Sequence, residues 1–175
     1  DEAADSGEVV ITQGLRIARL SQEPHFTPGA SVRQALEAAL ADHAALLDRH
    51  QEIHDRLHGS EGSAEVRLFD ELQTIEHLLD HWGWDLTPRL KAAATVWGLT
   101  DLDAEVESLS GGWRKRVALA QAWLKEPDVL VLDLMMPELN GLEVARQLSK
   151  QAARTKVIIL SMYDDEGFVL EALGN

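Results

Sequence analysis

Apolar and polar residues alternate roughly by two over residues 8–20, EVVITQGLRIARL, which predicts two short strands around a turn at Gly14. A loop with two prolines, SQEPHFTPGA, follows. Ser31 then reads as the N-cap of one long helix carrying Val32, Ala35, Leu36, Ala39, Leu40, Leu46, Leu47, Ile53 and Leu57. Gly59 and the SEGS segment stop it. Ser63 or Ala64 begins a second helix, through Val66, Leu68, Phe69, Leu72, Ile75, Leu78 and Leu79 to Gly83, and the two helices are expected to pair as an antiparallel hairpin. Thr87-Pro88 is a cap and first-turn pair for a third helix to about Trp97. Ser110 is expected to cap another, running to about Lys125.

After Pro127 the texture changes. DVLVLDLMMP and KVIIL are short apolar runs, as expected of strands buried on both faces, and ELNGLEVARQLSK between them reads as a helix. DEGFVLEALG reads as a last helix. Strand, helix and strand in that order make a right-handed parallel unit. The fold class expected is α/β, with a small, mostly parallel sheet and a helical hairpin insertion. Its parts are core strands in 1–30, an arm hairpin in 31–83, a helical subdomain in 84–127, and a βαβα segment in 128–175.

Composition narrows the function. The chain has 175 residues, with 16 Lys and Arg against 30 Asp and Glu, a net charge of −14. That balance argues against tight, non-specific binding to nucleic acid or an anionic membrane. The absence of cysteine excludes disulfides, cysteine-held zinc and thiol catalysis. No apolar run reaches the roughly 18–20 residues of a membrane span, and the opening DEAADSGE has neither the basic nor the apolar region of a signal peptide. A cytoplasmic location is expected. The first residue is not methionine, which is compatible with a processed product or an excised fragment.

Two stretches carry chemistry. In LSGGWRKRVALAQAW, Leu109–Trp123, a serine and two glycines open a helix and a basic turn follows. Such a start exposes backbone N–H groups at the positive end of a helix dipole, and glycines let a phosphate come close. Ser-Gly-Gly by itself fits a plain serine cap equally well. In VLDLMMPELNG, Val131–Gly141, Pro137 and Gly141 stand four and eight positions after Asp133, and Ser161 ends the next strand. A plain buried βαβ unit accounts for the hydrophobicity of this stretch, though not for that placement.

The whole stretch from Leu109 to Trp123 resembles the signature motif of ABC-type ATPases, and its Trp-Arg-Lys-Arg continuation resembles the ABC-F subfamily. Other segments agree in order and spacing. DSGEV, Asp5–Val9, is similar to the strand after the phosphate-loop helix; RIARLSQEP, Arg16–Pro24, to the Q-loop; and DVLVLD, Asp128–Asp133, to the Walker B strand. This resemblance covers about residues 5–133 and places the sheet among P-loop-NTPase-like folds. It implies ATP and Mg2+ as cofactors, with Gln22, Ser110, Gly111 and Gly112 facing nucleotide and with Asp133 and Gln22 at the metal. From about residue 129 to 174 the chain resembles a flavodoxin-like response-regulator receiver domain. That implies Asp133 as phosphoacceptor and Ser161 as switch hydroxyl. The chain thus reads as a chimera joined at the Walker B strand, with Asp133 shared.

The chemistry implied is incomplete. No G-x-x-x-x-G-K-[ST] occurs, Leu134 stands where the family's catalytic glutamate follows Walker B, and Met162 stands at the switch histidine. The ABC resemblance therefore implies no ATPase activity from this chain alone, and no residue is assigned a confident catalytic role. The receiver pattern lacks its acidic pair and its lysine. The resemblance implies as partners a second ABC domain supplying Walker A, or a histidine kinase for the receiver-like part. A phosphorelay module with Asp133 as phosphoacceptor and a non-catalytic helical interaction protein are the alternatives. ABC-F arms commonly contact ribosomal RNA, yet residues 31–82 hold eleven Asp and Glu, four arginines and no lysine, so an RNA contact by this arm is not expected. His50, His54 and His58, and His77 and His81, have the i, i+4 spacing of a shared metal but read as a solvated helix face. Trp113 and Trp123, ten apart on the signature helix, read as core, and Trp82 and Trp84 as packing at the hairpin end. A sheet without its phosphate-loop strand is poorly covered, which predicts marginal stability or self-association.

Overall fold

The computed structural model describes residues 10–21, 23–57, 62–133 and 154–160. They form β1 (Ile17–Arg19), α1 (Val32–Ala39), α2 (Ala41–Leu57), α3 (Ser63–Trp82), α4 (Thr87–Trp97), a 3-10 turn (Val106–Ser108), α5 (Gly111–Leu124), β2 (Val129–Asp133) and β3 (Lys156–Leu160). The fold is mixed α/β with a small parallel sheet. The chain divides into two compact units, Pro24–Lys125 and Asp1–Glu23 with Glu126–Asn175.

The first unit is helical. Apolar residues three and four apart on α2 and α3 meet along one seam, where Ile53, Leu68, Leu72, Ile75 and Leu79 are buried and Leu46, Leu47 and Leu57 pack against them. The two helices run antiparallel: Arg49 on α2 makes a two-pronged bond to Glu71 on α3, with Nε–Oε1 2.7 Å and Nη2–Oε2 2.9 Å, while His43 lies against Trp82 further along. The predicted hairpin is therefore present. The single long helix predicted before it is two helices, broken at Leu40, where φ −104° and ψ 16° leave the helical range and the N–H turns back to Glu37. The reason is tertiary. α1 packs on α5 while α2 packs on α3, and one straight rod cannot serve both partners. At the next junction Thr87 is the first residue of α4 and does not cap it; the Asp85 carboxylate accepts the Thr87 N–H at 2.8 Å. α4 ends at Gly98, whose φ of +68° is the left-handed conformation that favours glycine. A Cβ there would sit 3.4 Å from Arg116 Nη1.

The second unit holds the sheet, in the order β1-β2-β3, all parallel. Among the described residues, only the second of the two strands predicted in 8–20 forms; residues 10–12 are not strand, and Val10 and Ile11 are exposed. The turn expected at Gly14 is present, with φ +86° and the Leu15 N–H bonded to the Thr12 carbonyl. Neither β2 nor β3 is buried on both faces as predicted. On β2, Leu130 and Leu132 are buried while Val129 and Val131 are only partly covered. On β3, Ile158 and Leu160 are each 48% exposed. The register puts Ile17, Val129 and Lys156 on one face and Ala18, Leu130 and Val157 on the other, so the sheet has a covered face and an open one. The helices predicted after Met136 and after Asp164 lie outside the described residues.

Candidate nucleotide-facing site

Among the described residues, two helices have a serine at the N-cap position, and only one of these serines makes a capping bond. Ser31, at the head of α1, accepts the Gln34 N–H on its Oγ at 3.2 Å, and Gln34 Oε1 accepts the Ser31 N–H at 2.9 Å, a complete capping box. The next N–H groups of α1 are taken by loop carbonyls: Val32 by Ala104 and Arg33 by Leu102. Ser110, at the head of α5, has the same extended backbone, φ −62° and ψ 160°, but its side chain makes no capping hydrogen bond and is exposed. That corrects the expectation that Ser110 caps its helix. Its carbonyl still accepts the Arg114 N–H at 3.0 Å, so the helix begins in register.

The approach to Ser110 is held firmly. Val106 is fully buried and its N–H bonds to the Ala30 carbonyl, Ser31 and Glu105 form an antiparallel bridge, and the Ser108 hydroxyl donates to Glu105. Gly111 and Gly112 are partly covered, and the first turn of α5 holds no acidic residue. Helix-start N–H groups without intrahelical partners carry partial positive charge. Arg114 and Arg116 are exposed on the same turn, and Arg116 lies 4.8 Å over the Trp113 ring. Trp113 is 39% exposed, against its reading as a core residue. The result is a rigidly approached helix end whose hydroxyl and N–H groups suit an anion. A helix start of this kind can take a phosphate group.

The other predicted site residues belong to the sheet unit. Asp133 closes β2 at its carboxyl end, paired in register with Leu160. β1 runs parallel beside it, and the Leu20 N–H bonds to the Val131 carbonyl at 3.1 Å, carrying the chain toward that same end. Gln22 and Ser161, like Leu134 and Met162, lie outside the described residues. The structure thus brings Ser110, Gly111 and Gly112 together, and β1 runs toward the Asp133 end of the sheet.

Other candidates narrow quickly. A cleft of about 460 Å3 between residues 25–30 and α1, with Gln121 also on its wall, is lined by no Lys or Arg. Among the described residues, no group of three His, Asp or Glu is placed to hold a metal. His50 instead stacks edge-on to Trp84 at 4.9 Å and lies 3.5 Å from Glu76.

Sequence reasoning missed two polar anchors. Asp128 accepts the Arg16 N–H at 2.8 Å and faces the Arg16 guanidinium at 3.6 Å, tying β1 to β2. That N–H, with the guanidinium beside it, holds the Asp128 carboxyl below the usual carboxylate range. The second anchor is His43, 2% exposed, between Gly83 and Arg89. Neither has a sequence signal, because the partners lie 112, 40 and 46 residues apart.

Comparison with known proteins fits this geometry. A solved structure of an ATP-binding subunit of an ABC transporter superposes with a TM-score of 0.52 at 16% identity, over 85% of this chain and 49% of that one. The fold is that of an ABC ATPase domain. The energy-dependent translational throttle protein EttA of Haemophilus influenzae is 36% identical over 79% of this chain, and the Mycobacterium tuberculosis protein of the same name is 31% identical over 94%. The chain spans 25% and 29% of the length of these two relatives. Residues 89–175 match the response regulator receiver domain. Over most of its length the chain is therefore homologous to the ABC-F ATPase domain of EttA-like proteins, and its C-terminal part matches a receiver domain. The two likenesses overlap. An alignment covering 94% of the chain passes through Asp133 and β3, while the receiver match reaches back over α4 and α5. Strand, crossover and parallel strand have one handedness in most folds, so a single stretch of sequence can align to more than one of them.

Proposed function

We propose that this chain is the signature-bearing part of an ABC-F-type ATP-binding domain, acting in the cytoplasm on ATP held by a second ABC domain that supplies the phosphate loop. Ser110, Gly111 and Gly112 would meet the phosphates, with Gln22 and Asp133 placed for Mg2+ by resemblance. One observation carries the reading. Of the two helices with a serine N-cap among the described residues, α1 has its N-terminus satisfied from within the chain, while the Ser110 hydroxyl at the head of α5 is exposed and makes no capping bond. An N-terminus of that kind is an anion site. The division into core strands, arm hairpin (31–83), helical subdomain (84–127) and receiver-like segment (128–175) belongs to this reading.

The chain alone is expected not to hydrolyse ATP, because Leu134 cannot polarise water and no phosphate-loop lysine is present. Phosphate release with Mg2+ should stay at the buffer blank, and turnover abolished by Asp133→Ala would overturn this. Added to an ABC-F domain that carries a phosphate loop, the chain should stimulate ATP turnover, and Gly111→Asp should remove the stimulation. Equal stimulation by that variant would reject the signature reading.

The receiver match favours a second reading, in which Asp133 is a phosphoacceptor served by a histidine kinase and Ser161 is the switch hydroxyl. Intact mass after incubation with Mg2+ and acetyl phosphate tests it. One added phosphoryl group, absent from Asp133→Ala, supports this reading, and unchanged mass rejects it.

A further inference from the structure

Three helix ends meet at one buried imidazole, and an arginine ties a fourth to it. His43, in the first turn of α2, is 2% exposed. Its Nε2 lies 2.7 Å from the carbonyl oxygen of Gly83, the residue that ends α3. Its Nδ1 lies 3.1 Å from Nη1 of Arg89, in the first turn of α4. The same guanidinium reaches on, with Nη2 donating at 2.7 Å to the carbonyl of Leu124, the last residue of α5. Trp82 closes the ring's edge at 5.7 Å. The chemistry fixes every role. A carbonyl only accepts and a guanidinium only donates, so His43 carries its proton on Nε2 and accepts on Nδ1. A ring buried this deeply needs both bonds, because an unmatched polar group away from water is costly.

We propose that Arg89 and His43 form a joint that fixes the α2–α3 hairpin to α5, so that this pair sets the angle between the hairpin and the signature helix. Leu124 stands at one end of α5 and Ser110 at the other, about 20 Å away along a single helix of 14 residues. A shift of that helix moves the Leu124 carbonyl, and Arg89 transmits the shift to the base of the hairpin. Backbone contacts are not enough for this, since α2 meets α1 through few residues and the chain bends at Leu40. The planar fork of arginine matters because it spans two acceptors in fixed geometry. The inference rests on packing within this unit and stands whether or not the helix faces nucleotide.

The test is a distance distribution between spin labels at Arg67→Cys on α3 and Arg114→Cys on α5, both exposed, in a chain with no other cysteine. With the joint intact the distribution should be narrow. Arg89→Met, which removes both bonds, should broaden it about twofold or more, as for a locally released element. His43→Leu loses both the donor toward Gly83 and the acceptor for Arg89; it should broaden the distribution similarly, and the double variant should add little. A folded variant of either kind with the original width would overturn the joint. If Arg89→Met fails to fold by circular dichroism, His43→Leu decides the matter. Unfolding of both would overturn the proposal too, since the pair would then be a core support.

Discussion

The hairpin and the sheet solve the same problem with different success. In α2–α3 the apolar seam closes on itself: Ile53 and Leu79 are fully buried, and the core cluster they belong to is built from two consecutive helices. In the sheet, Leu130 and Leu132 are buried on one face while Ile17, Ile158 and Leu160 stand between 44% and 48% exposed on the strands beside them. An antiparallel helix pair finishes its core from contiguous sequence. A parallel sheet needs layers on both faces and strands brought from far away in the chain. The hairpin is thus the autonomous part of the molecule and the sheet the dependent part.

Cavity formation breaks the comparison most sharply. Leu79→Ala should cost about 2–5 kcal/mol, because a fully buried leucine is replaced by a void. Ile158→Ala, on the open face of β3, should cost well under half of that. Thermal melts followed at 222 nm separate the two, and equal losses would mean that the sheet face is covered in solution. Next in size is Gly98→Ala, expected to lose about 1–2 kcal/mol for forcing a Cβ into left-handed backbone. Arg116 Nη1 stands 3.4 Å from that Cβ and would have to give way.

The helices with Ser31 and Ser110 at their N-caps give a finer contrast. Ser31→Ala should cost about 1 kcal/mol through loss of its capping box. Ser110→Ala should change stability by less than about 0.5 kcal/mol, as at an exposed site without a capping bond. A large loss at Ser110 would make that hydroxyl structural and weaken the nucleotide reading.

Acid should act on both units, by the smallest amount. Glu71 and Glu52 are held below their ordinary value of 4.5, first by hydrogen bonds from Arg49. Asp85 and Asp128 are held below 3.8, first by the N–H groups of Thr87 and Arg16. A depressed carboxylate stabilises the fold above its unfolded pKa and loses that contribution as pH falls through the folded value. Stability should therefore be flat above about pH 5 and decline through pH 4 and below. Because all four groups are solvated, the decline should shrink in high salt. Urea titrations at several pH values check this.

Much of this molecule is legible in its sequence. The 3.6-residue period marks the hairpin, Pro88 marks the first turn of α4, Ser31 is legible as a cap, and Ser-Gly-Gly marks a helix start from residues alone. Such signals are local: a helix period or a capping serine acts within one or two turns. The break at Leu40 and the open face of β3 are not legible, because each depends on what packs against the segment and not on the segment. The same holds at the site. Sequence determined that Ser110, Gly111 and Gly112 begin a helix, and it named Asp133 at the end of a strand. Only the tertiary structure decided that Ser31 spends its hydroxyl on its own helix while Ser110 does not, and that His43 and Arg89 meet at all. Hydrogen bonds between residues dozens of positions apart are chosen by folding geometry, which no local pattern of side chains encodes.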